Sequence, residues 1–328
     1  MVFADALSKA ARLLELQLLF ARSPHHTFRT KEIASKLGIA PRTVRAYVAE
    51  LSAAGKLPVY HDGKGWRLAS DARLEVGPLR LELSQATAVY LAARLLLRHS
   101  DEPNPAVREA VRRLALVVPE DLARSMEELV GRSPSESSSF AEVFRVFAYG
   151  WALRRVVACT YHPATRKEPF SCRFHPYLLE PAMFGYAVYA VGHSDPPGAL
   201  RVYKLERVLE ATLTEERFEP VPVGEVLDRL QKGWDVWLAE GDAKEVRLRI
   251  APQAVRYIAE ARWHPSQRIQ QLADGSVELV FRLAPTYDLA HWIMSWGDAC
   301  RVLEPPELAA MVAEAHRRAA AQYATPTP

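Results

Sequence analysis

The segment Thr30 to Leu51, TKEIASKLGIAPRTVRAYVAEL, decides how the first part of this chain folds. Ile33, Ala34 and Leu37 keep helical spacing before Leu37-Gly38-Ile39, and Val44, Val48 and Leu51 keep it after. Apolar residues at these intervals give each of two short helices one face to bury. Gly38 supplies the tight turn between them, and Pro41 suits the first position of the second helix, where a missing N–H costs little. With Val44, Val48 and Leu51 turned inward, Arg42, Arg45, Ala46 and Ala49 turn outward, and Thr43 stands near the exposed N-terminal turn. This is the pattern of a helix-turn-helix, whose second helix lies in the DNA major groove. Guanidinium and hydroxyl groups on that face reach base edges and phosphates.

Just downstream, Leu57-Pro58-Val59-Tyr60 and Trp66-Arg67-Leu68 flank His61-Asp62-Gly63-Lys64-Gly65. Asp-Gly between short apolar runs predicts a hairpin, here a wing. Arg29, Thr30, Arg42, Thr43, Arg45 and Lys64 are therefore the candidate DNA-contacting residues. The chain as a whole carries only +3, but from Arg22 to Arg67 nine Lys or Arg face three acids, a local +6. A basic segment on a near-neutral chain implies a confined anionic partner, here double-stranded promoter DNA. An ordinary helical hairpin inside a bundle would account for the helices but not for the basic face and the wing together.

A length of 328 residues implies two or three domains, and 49% hydrophobic with 25% charged residues is ordinary for a soluble protein. The cysteines, Cys159, Cys172 and Cys300, are few and odd in number, which argues against a disulfide framework and for a reducing compartment. No apolar run approaches the ~18 residues of a membrane span. The opening residues, MVFADALSKAARLLELQLLF, contain an acid and show helical periodicity rather than a signal-peptide layout. The expectation is a cytoplasmic protein with no membrane partner.

Residues 1–70 read as the winged helix-turn-helix domain and 71–138 as a helical connector. Its helices run from Ser84 to about His99, from Val107 to Val117, and from Pro119 to Gly131. Reading paired half-sites needs two recognition helices about one DNA turn apart, so a homodimer is expected, with this block as its connector. Arg132 to Ser139 is a linker by composition. Residues 139–220 begin with a helix, Phe140 to Arg154, after which the period becomes two. The predicted strands are Val156–Tyr161, Ser171–Glu180, Tyr186–Gly192, Leu200–Leu209 and Ala211–Phe218. Residues 221–243 hold a linker helix ending near Leu238. Residues 244–328 alternate strand, helix, a hairpin about Asp274-Gly275, helix (Tyr287–Trp296), strand and a closing helix. That β-α-β-β-α-β order is ferredoxin-like, so the fold class is α+β and multidomain.

The middle domain resembles the WYL family of bacterial transcriptional regulators. The resemblance lies in Val157–Tyr161, in Phe174-His175-Pro176-Tyr177-Leu178-Leu179, and in Arg201-Val202-Tyr203-Lys204-Leu205-Glu206-Arg207-Val208. The tail resembles the extension that often follows these domains, in Trp296-Gly297-Asp298-Ala299 and Val302 to Leu308. The tripeptide that names the family falls at Val188-Tyr189-Ala190, where only the tyrosine remains, and Lys204 stands where arginine is usual. The resemblance implies an Sm-like small β-barrel with a basic, aromatic-lined surface that senses a nucleotide or single-stranded nucleic acid. Strand geometry adds that Arg201, Tyr203, Leu205 and Arg207 share one face. Two guanidinium groups around an aromatic ring suit a phosphate backbone with a stacked base. Tyr161, His175, Tyr189 and Lys204 complete the candidate effector site. The plainer alternative pairs Arg201 and Arg207 with Glu206 or Glu210 on a solvated strand.

Cys159-Thr160-Tyr161-His162 and Cys172-Arg173-Phe174-His175 are C-x-x-H units, a spacing that invites zinc. In a regular strand residues i and i+3 point to opposite faces, so no metal and no cysteine–histidine catalysis is assigned. Phosphate-binding glycine loops are absent too, and no cofactor is expected. The expected function is a DNA-binding transcriptional regulator, not an enzyme. A metabolite-sensing repressor is the alternative, with a nucleotide-acting enzyme behind it.

Overall fold

A computed structural model describes residues 9–24, 26–69, 81–100, 102, 104–131, 139–183, 187–219, 221–236, 238, 241–284 and 287–324. The fold is mixed α/β with antiparallel sheets. It divides into two compact units: residues 1–98, 103–158 and 212–218 form one, and residues 99–102, 159–211 and 219–328 the other.

In the first unit α1 (Lys9–Arg22), α2 (Thr30–Leu37) and α3 (Pro41–Ala53) precede a two-stranded antiparallel sheet, β1 (Val59–His61) and β2 (Trp66–Leu68). Leu16, Phe20, Ile33, Leu37, Val44, Val48 and Leu51 meet in one core, so the helical stripes in the sequence are its buried faces. Gly38 ends α2 at φ 62°, ψ 38°, and its N–H bonds the Ala34 carbonyl. That left-handed conformation favours glycine, which is why the turn is so short. Phe28 bridges Trp66 through both backbone hydrogen bonds, of 3.0 and 2.8 Å. The Trp66 indole N–H donates to Thr30 Oγ1 at 3.1 Å, joining the β1–β2 hairpin to the first turn of α2.

Three helices follow: α4 (Leu83–His99), α5 (Pro105–Ala115) and α6 (Glu120–Gly131). Tyr90, Val111, Ala115, Met126 and Val130 form a small core among them, and Asn104 Oδ1 caps α5 by accepting the Ala106 N–H. Val89, Leu91 and Leu95 on α4 and Leu116 and Val117 after α5 stay exposed. Residues 71–80 of the expected connector and 132–138 of the expected linker lie outside the described residues.

The WYL-like segment opens with α7 (Ser139–Leu153), which buries Phe140, Val143, Val146, Phe147, Gly150 and Leu153. Five strands follow, β3 (Arg155–Tyr161), β4 (Phe170–Pro181), β5 (Val188–Asp195), β6 (Ala199–Lys204) and β7 (Val208–Arg217). They form one sheet in the order β6-β5-β4-β3-β7. The single strand expected from Leu200 to Leu209 is corrected: a 3-10 turn, Leu205–Arg207, separates β6 from β7. Leu205 is wholly buried in that turn, and the Val208 N–H closes it on the Leu205 carbonyl. Gly192 in β5 lies so close to β4 that a Cβ would stand 2.0 Å from the His175 carbonyl oxygen.

Next comes α8 (Val223–Leu230), whose Val226 and Leu230 pack on Leu178 and Val191. The helix expected to reach Leu238 stops at Leu230. Asp235 adopts φ 60°, and Trp234 turns fully buried into the following core. Trp237 lies outside the described residues.

That core belongs to β8 (Lys244–Ile250), α9 (Pro252–Ala259), β9 (Arg268–Gln271), β10 (Val277–Leu283), α10 (Tyr287–Ser295), β11 (Cys300–Glu304) and α11 (Pro306–Ala324). The sheet order is β11-β8-β10-β9, with Val246, Leu248, Ile250, Leu279 and Phe281 on its buried side. Trp234 and Trp292 lie 5.0 Å apart between ring centroids, and Trp263 lies 5.1 Å from Trp292. No helix among the described residues is long and apolar enough to cross a membrane.

His264 is 6% exposed beside Trp234. Its Nε2–H donates to the Gln231 carbonyl at 2.9 Å, and Nδ1 accepts the Ser266 N–H at 3.1 Å. Burial holds its pKa below the usual 6.5, against the opposing pull of the backbone around Gln231 and Gly233. The unfolded imidazole therefore takes up a proton before the folded one does. Stability from this group is full above 6.5 and is lost as pH falls below it. Urea midpoints followed by tryptophan emission should drop between about pH 7 and pH 5, and His264→Gln should flatten that slope.

Candidate nucleic-acid and effector sites

On α3, Arg42, Arg45, Ala46 and Ala49 are exposed, and Thr43 is half-buried one turn in. Arg29, just before α2, and Lys64, at the tip of the β1–β2 hairpin, are exposed as well. Among the described residues, none of Arg29, Arg42, Arg45 and Lys64 forms an ion pair. Thr30 differs from them, because its hydroxyl oxygen is already occupied by Trp66. In the hairpin, Asp62 Oδ1 accepts the Lys64 and Gly65 N–H groups at 2.9 and 3.0 Å, and Arg67 lies 3.5 Å from Oδ2. The Lys64 amide, followed by that of Gly65 and by Arg67, holds the Asp62 carboxyl below its usual range.

The seven candidate effector residues do not share one face. In antiparallel strands directly paired residues project to the same side. Phe174 pairs with Ser194, Ala190 with Tyr203, and Gly192 with Arg201. These set one face. His175 pairs with His193, Val191 with Val202, and Tyr189 with Lys204. These set the other, on which α8 packs. His175, Tyr189 and Lys204 are thus separated from Arg201 and Tyr203 by the sheet. The same alternation turns Cys172 away from His175. Among the described residues no group of three or more His, Cys, Asp or Glu is placed to hold a metal ion.

On the first face Tyr161 stacks on Tyr203 with centroids 4.0 Å apart and planes inclined by 12°. Phe170 meets both rings edge-on, and Phe174 lies 4.9 Å from Tyr203. The two tyrosines are 5% and 4% exposed, so their ring faces are spent on each other. Ser194 Oγ contacts Tyr203 Oη at 2.7 Å and donates to the Pro196 carbonyl at 2.8 Å. With its one hydrogen committed there, Ser194 accepts from the Tyr203 hydroxyl. Burial raises the Tyr161 pKa, opposed by the Lys204 backbone and by Arg207. Burial also pushes Tyr189 up to about 12, again opposed by Arg207. Arg207, half-buried in the turn, is the candidate whose charge reaches tyrosines of both faces. Arg201 is exposed and donates to the Leu200 carbonyl. Among the described residues no carboxylate pairs with Arg201 or Arg207.

A feature the sequence did not suggest is a cavity of about 230 Å³ lined by Glu180, Met183, Leu230, Asp235, Trp263 and His264, among others. The Asp235 carboxylate accepts the Met183 N–H at 2.9 and 3.1 Å. Burial, then the charge of Asp235, raises the Glu180 pKa. These residues come from distant stretches, and no spacing in the sequence joins them.

Residues 142–213 match the WYL domain and residues 242–320 the WCX domain. The chain thus carries a WYL domain followed by a WCX domain, and the homologues it matches are WYL-domain transcriptional regulators. It is homologous to Protein PafC of two Mycobacterium tuberculosis strains, CDC 1551/Oshkosh and H37Rv, at 25% identity over 333 residues, covering 98% of each chain. Among solved structures it resembles proteasome accessory factor B/C (PafBC) of Arthrobacter aurescens at 17% identity and a TM-score of 0.31. That match covers 95% of this chain, which spans about half (49%) of the larger one. A CRISPR Cas-related protein is similar at 12% identity and a TM-score of 0.36, over 98% of this chain and 88% of the other.

The Tyr203 hydroxyl and ring are separable by mutation. Tyr203→Phe should cost about 1 kcal/mol by leaving Ser194 without its donor, and Tyr203→Ala about 3–5 kcal/mol by opening the stack. Urea titrations of the two variants check the ratio.

Proposed function

We propose that this chain is a homodimeric, cytoplasmic transcriptional regulator that binds promoter DNA through α3 and the wing. Its WYL domain would sense a nucleotide or single-stranded nucleic acid. The observation that carries the reading is the pair of exposed, unpaired arginines, Arg42 and Arg45, on the second helix of a helix-turn-helix. Residues three apart on a helix lie on one side, so both side chains meet a groove together. Lys64 at the hairpin tip adds a phosphate contact beside them. The domain arrangement in this reading is a winged domain (1–70), a helical connector (71–138), an Sm-like domain (139–220), a linker helix (221–243) and a ferredoxin-like extension (244–328). Exposed Val89, Leu91 and Leu95 on α4 support the connector as the dimer surface. No catalytic role is assigned to any residue.

In the effector step Arg207 is the anchor for a phosphate, with Arg201, Tyr189 and Lys204 around the edge of the sheet. Tyr161 and Tyr203 form the packed floor beneath it, and His175 lies on the α8 side. An effector alters DNA affinity only if it favours one spacing of the two recognition helices. The second reading, a metabolite-sensing repressor, is favoured by the cavity at Glu180, Asp235 and Trp263, which is too small for an oligonucleotide.

Fluorescence anisotropy on the upstream duplex, across a salt series and with or without short single-stranded DNA, tests the division of labour. Arg42→Ala or Arg45→Ala should weaken duplex binding and reduce the salt slope by about one. Arg201→Ala or Arg207→Ala should keep basal duplex binding and lose the response to single strands. Identical behaviour of the two pairs would overturn the assignment. A response to metabolites alone would move it to the second reading.

A further inference from the structure

Cys159 on β3 and Cys172 on β4 bring their sulfur atoms within 3.3 Å of each other. Both are free thiols and both are 5% exposed. Next along the strands Thr160 meets Ser171 and Tyr161 meets Phe170, the stepwise contacts of opposed residues in antiparallel strands. Opposed residues have Cα atoms about 4.5–5.5 Å apart, inside the range that a disulfide spans. Closing 3.3 Å to a bonded separation of about 2.05 Å asks for a sulfur displacement of little more than an ångström, which side-chain rotation supplies.

The pair is also wired into the aromatic core. The two sulfurs share one thiol hydrogen bond, which with burial raises the Cys159 pKa and, against burial, lowers that of Cys172. Cys172 is therefore the sulfur that more readily carries negative charge and attacks an oxidant. Cys300 supplies a contrast within the chain. It is 5% exposed and alone, and burial pushes its thiol up to about 12.

We propose that Cys159 and Cys172 form a reversible dithiol–disulfide couple, a redox-sensitive site in the core of the WYL domain whose oxidant is a hydroperoxide. The Cys172 thiolate attacks the peroxide, the O–O bond breaks, and hydroxide leaves and is protonated to water. Cys172 is then a sulfenic acid. The Cys159 sulfur attacks it, the S–S bond forms, the S–O bond breaks, and hydroxide leaves with the Cys159 proton as a second water. In sum two thiols lose two electrons and two protons, and one hydrogen peroxide becomes two waters. A dithiol reductant reverses the change by exchange. The bond would tie β3 to β4 beside the Tyr161–Tyr203 stack and remove the thiol next to the Tyr203 hydroxyl. None of this depends on which effector the domain takes.

The test uses the full-length protein, reduced, freed of reductant, and treated while folded with a small excess of hydrogen peroxide. Denaturing alkylation and intact-mass analysis then count thiols, and peptide mapping locates any link. The expected result is a loss of two hydrogen masses, one alkylated cysteine in place of three, and a Cys159–Cys172 cross-linked peptide that a dithiol abolishes. Cys300→Ser should still form the link, whereas Cys159→Ser and Cys172→Ser should not. Three alkylated cysteines after treatment, sulfinic acid at Cys172 without a link, or a link through Cys300 would each overturn the proposal. The wild-type count decides the matter even if a serine variant folds poorly.

Discussion

Strand β5 is hydrogen-bonded on both edges, to β4 and to β6, and the facing of side chains in this sheet follows from that double pairing. A strand paired on both sides cannot slip by one residue without turning every side chain to the wrong face. Ala190, Gly192 and Ser194 are thereby directed to the aromatic side, and Tyr189, Val191 and His193 to the side covered by α8. Ser194 then meets Tyr203, Tyr203 meets Tyr161, and the two cysteines come to lie under the same cluster. Gly192 has no room for a methyl group against the His175 carbonyl, so the close approach of β4 and β5 depends on its missing side chain.

The helices α2 and α3 and the turn between them were legible because their signals are local. A glycine that must turn left-handed, a proline at a helix start and three apolar residues on each face all act within about twenty residues. The β-α-β-β-α-β order of residues 244–304 was legible for a related reason, since each change of period is bounded by proline, glycine or a charged turn. Arg201 to Val208 was not. Tyr203 and Leu205 keep a strand's period of two, yet a 3-10 turn over Leu205–Arg207 ends the strand and buries Leu205. Alternation alone does not separate the two, because burial of Leu205 is decided by what packs over it. The helix expected to reach Leu238 failed similarly: the pull of Trp234 into the next core outweighs the helical pattern around Asp235.

The candidate site was legible in its residue types and not in its arrangement. Tyr161, Tyr203 and Arg207 do gather, but the facing of His175, Tyr189 and Lys204 depends on cross-strand partners that no single segment records. The two candidate surfaces also differ in kind. Around Arg42 and Arg45 the side chains are solvated and uncommitted, as suits a contact governed by counterions. Around Tyr203 the ring faces and the hydroxyl already have neighbours, so the proposed ligand would meet only the edge of a packed cluster. Packed clusters respond in steps rather than continuously, as the proposed sensing role would require.

The chain has seven tryptophans, and Trp234, Trp263, Trp292 and Trp296 stand in one aromatic cluster around the last sheet. Trp66 sits apart, between the wing and the first turn of α2, where its indole is hydrogen-bonded to Thr30. Trp66 and the four-ring cluster are thus separate optical reporters, beside the exposed Trp151 on α7. Red-shifted emission from the cluster would mark loss of the C-terminal core, while quenching of Trp66 would register a ligand at the wing, without any dye being attached.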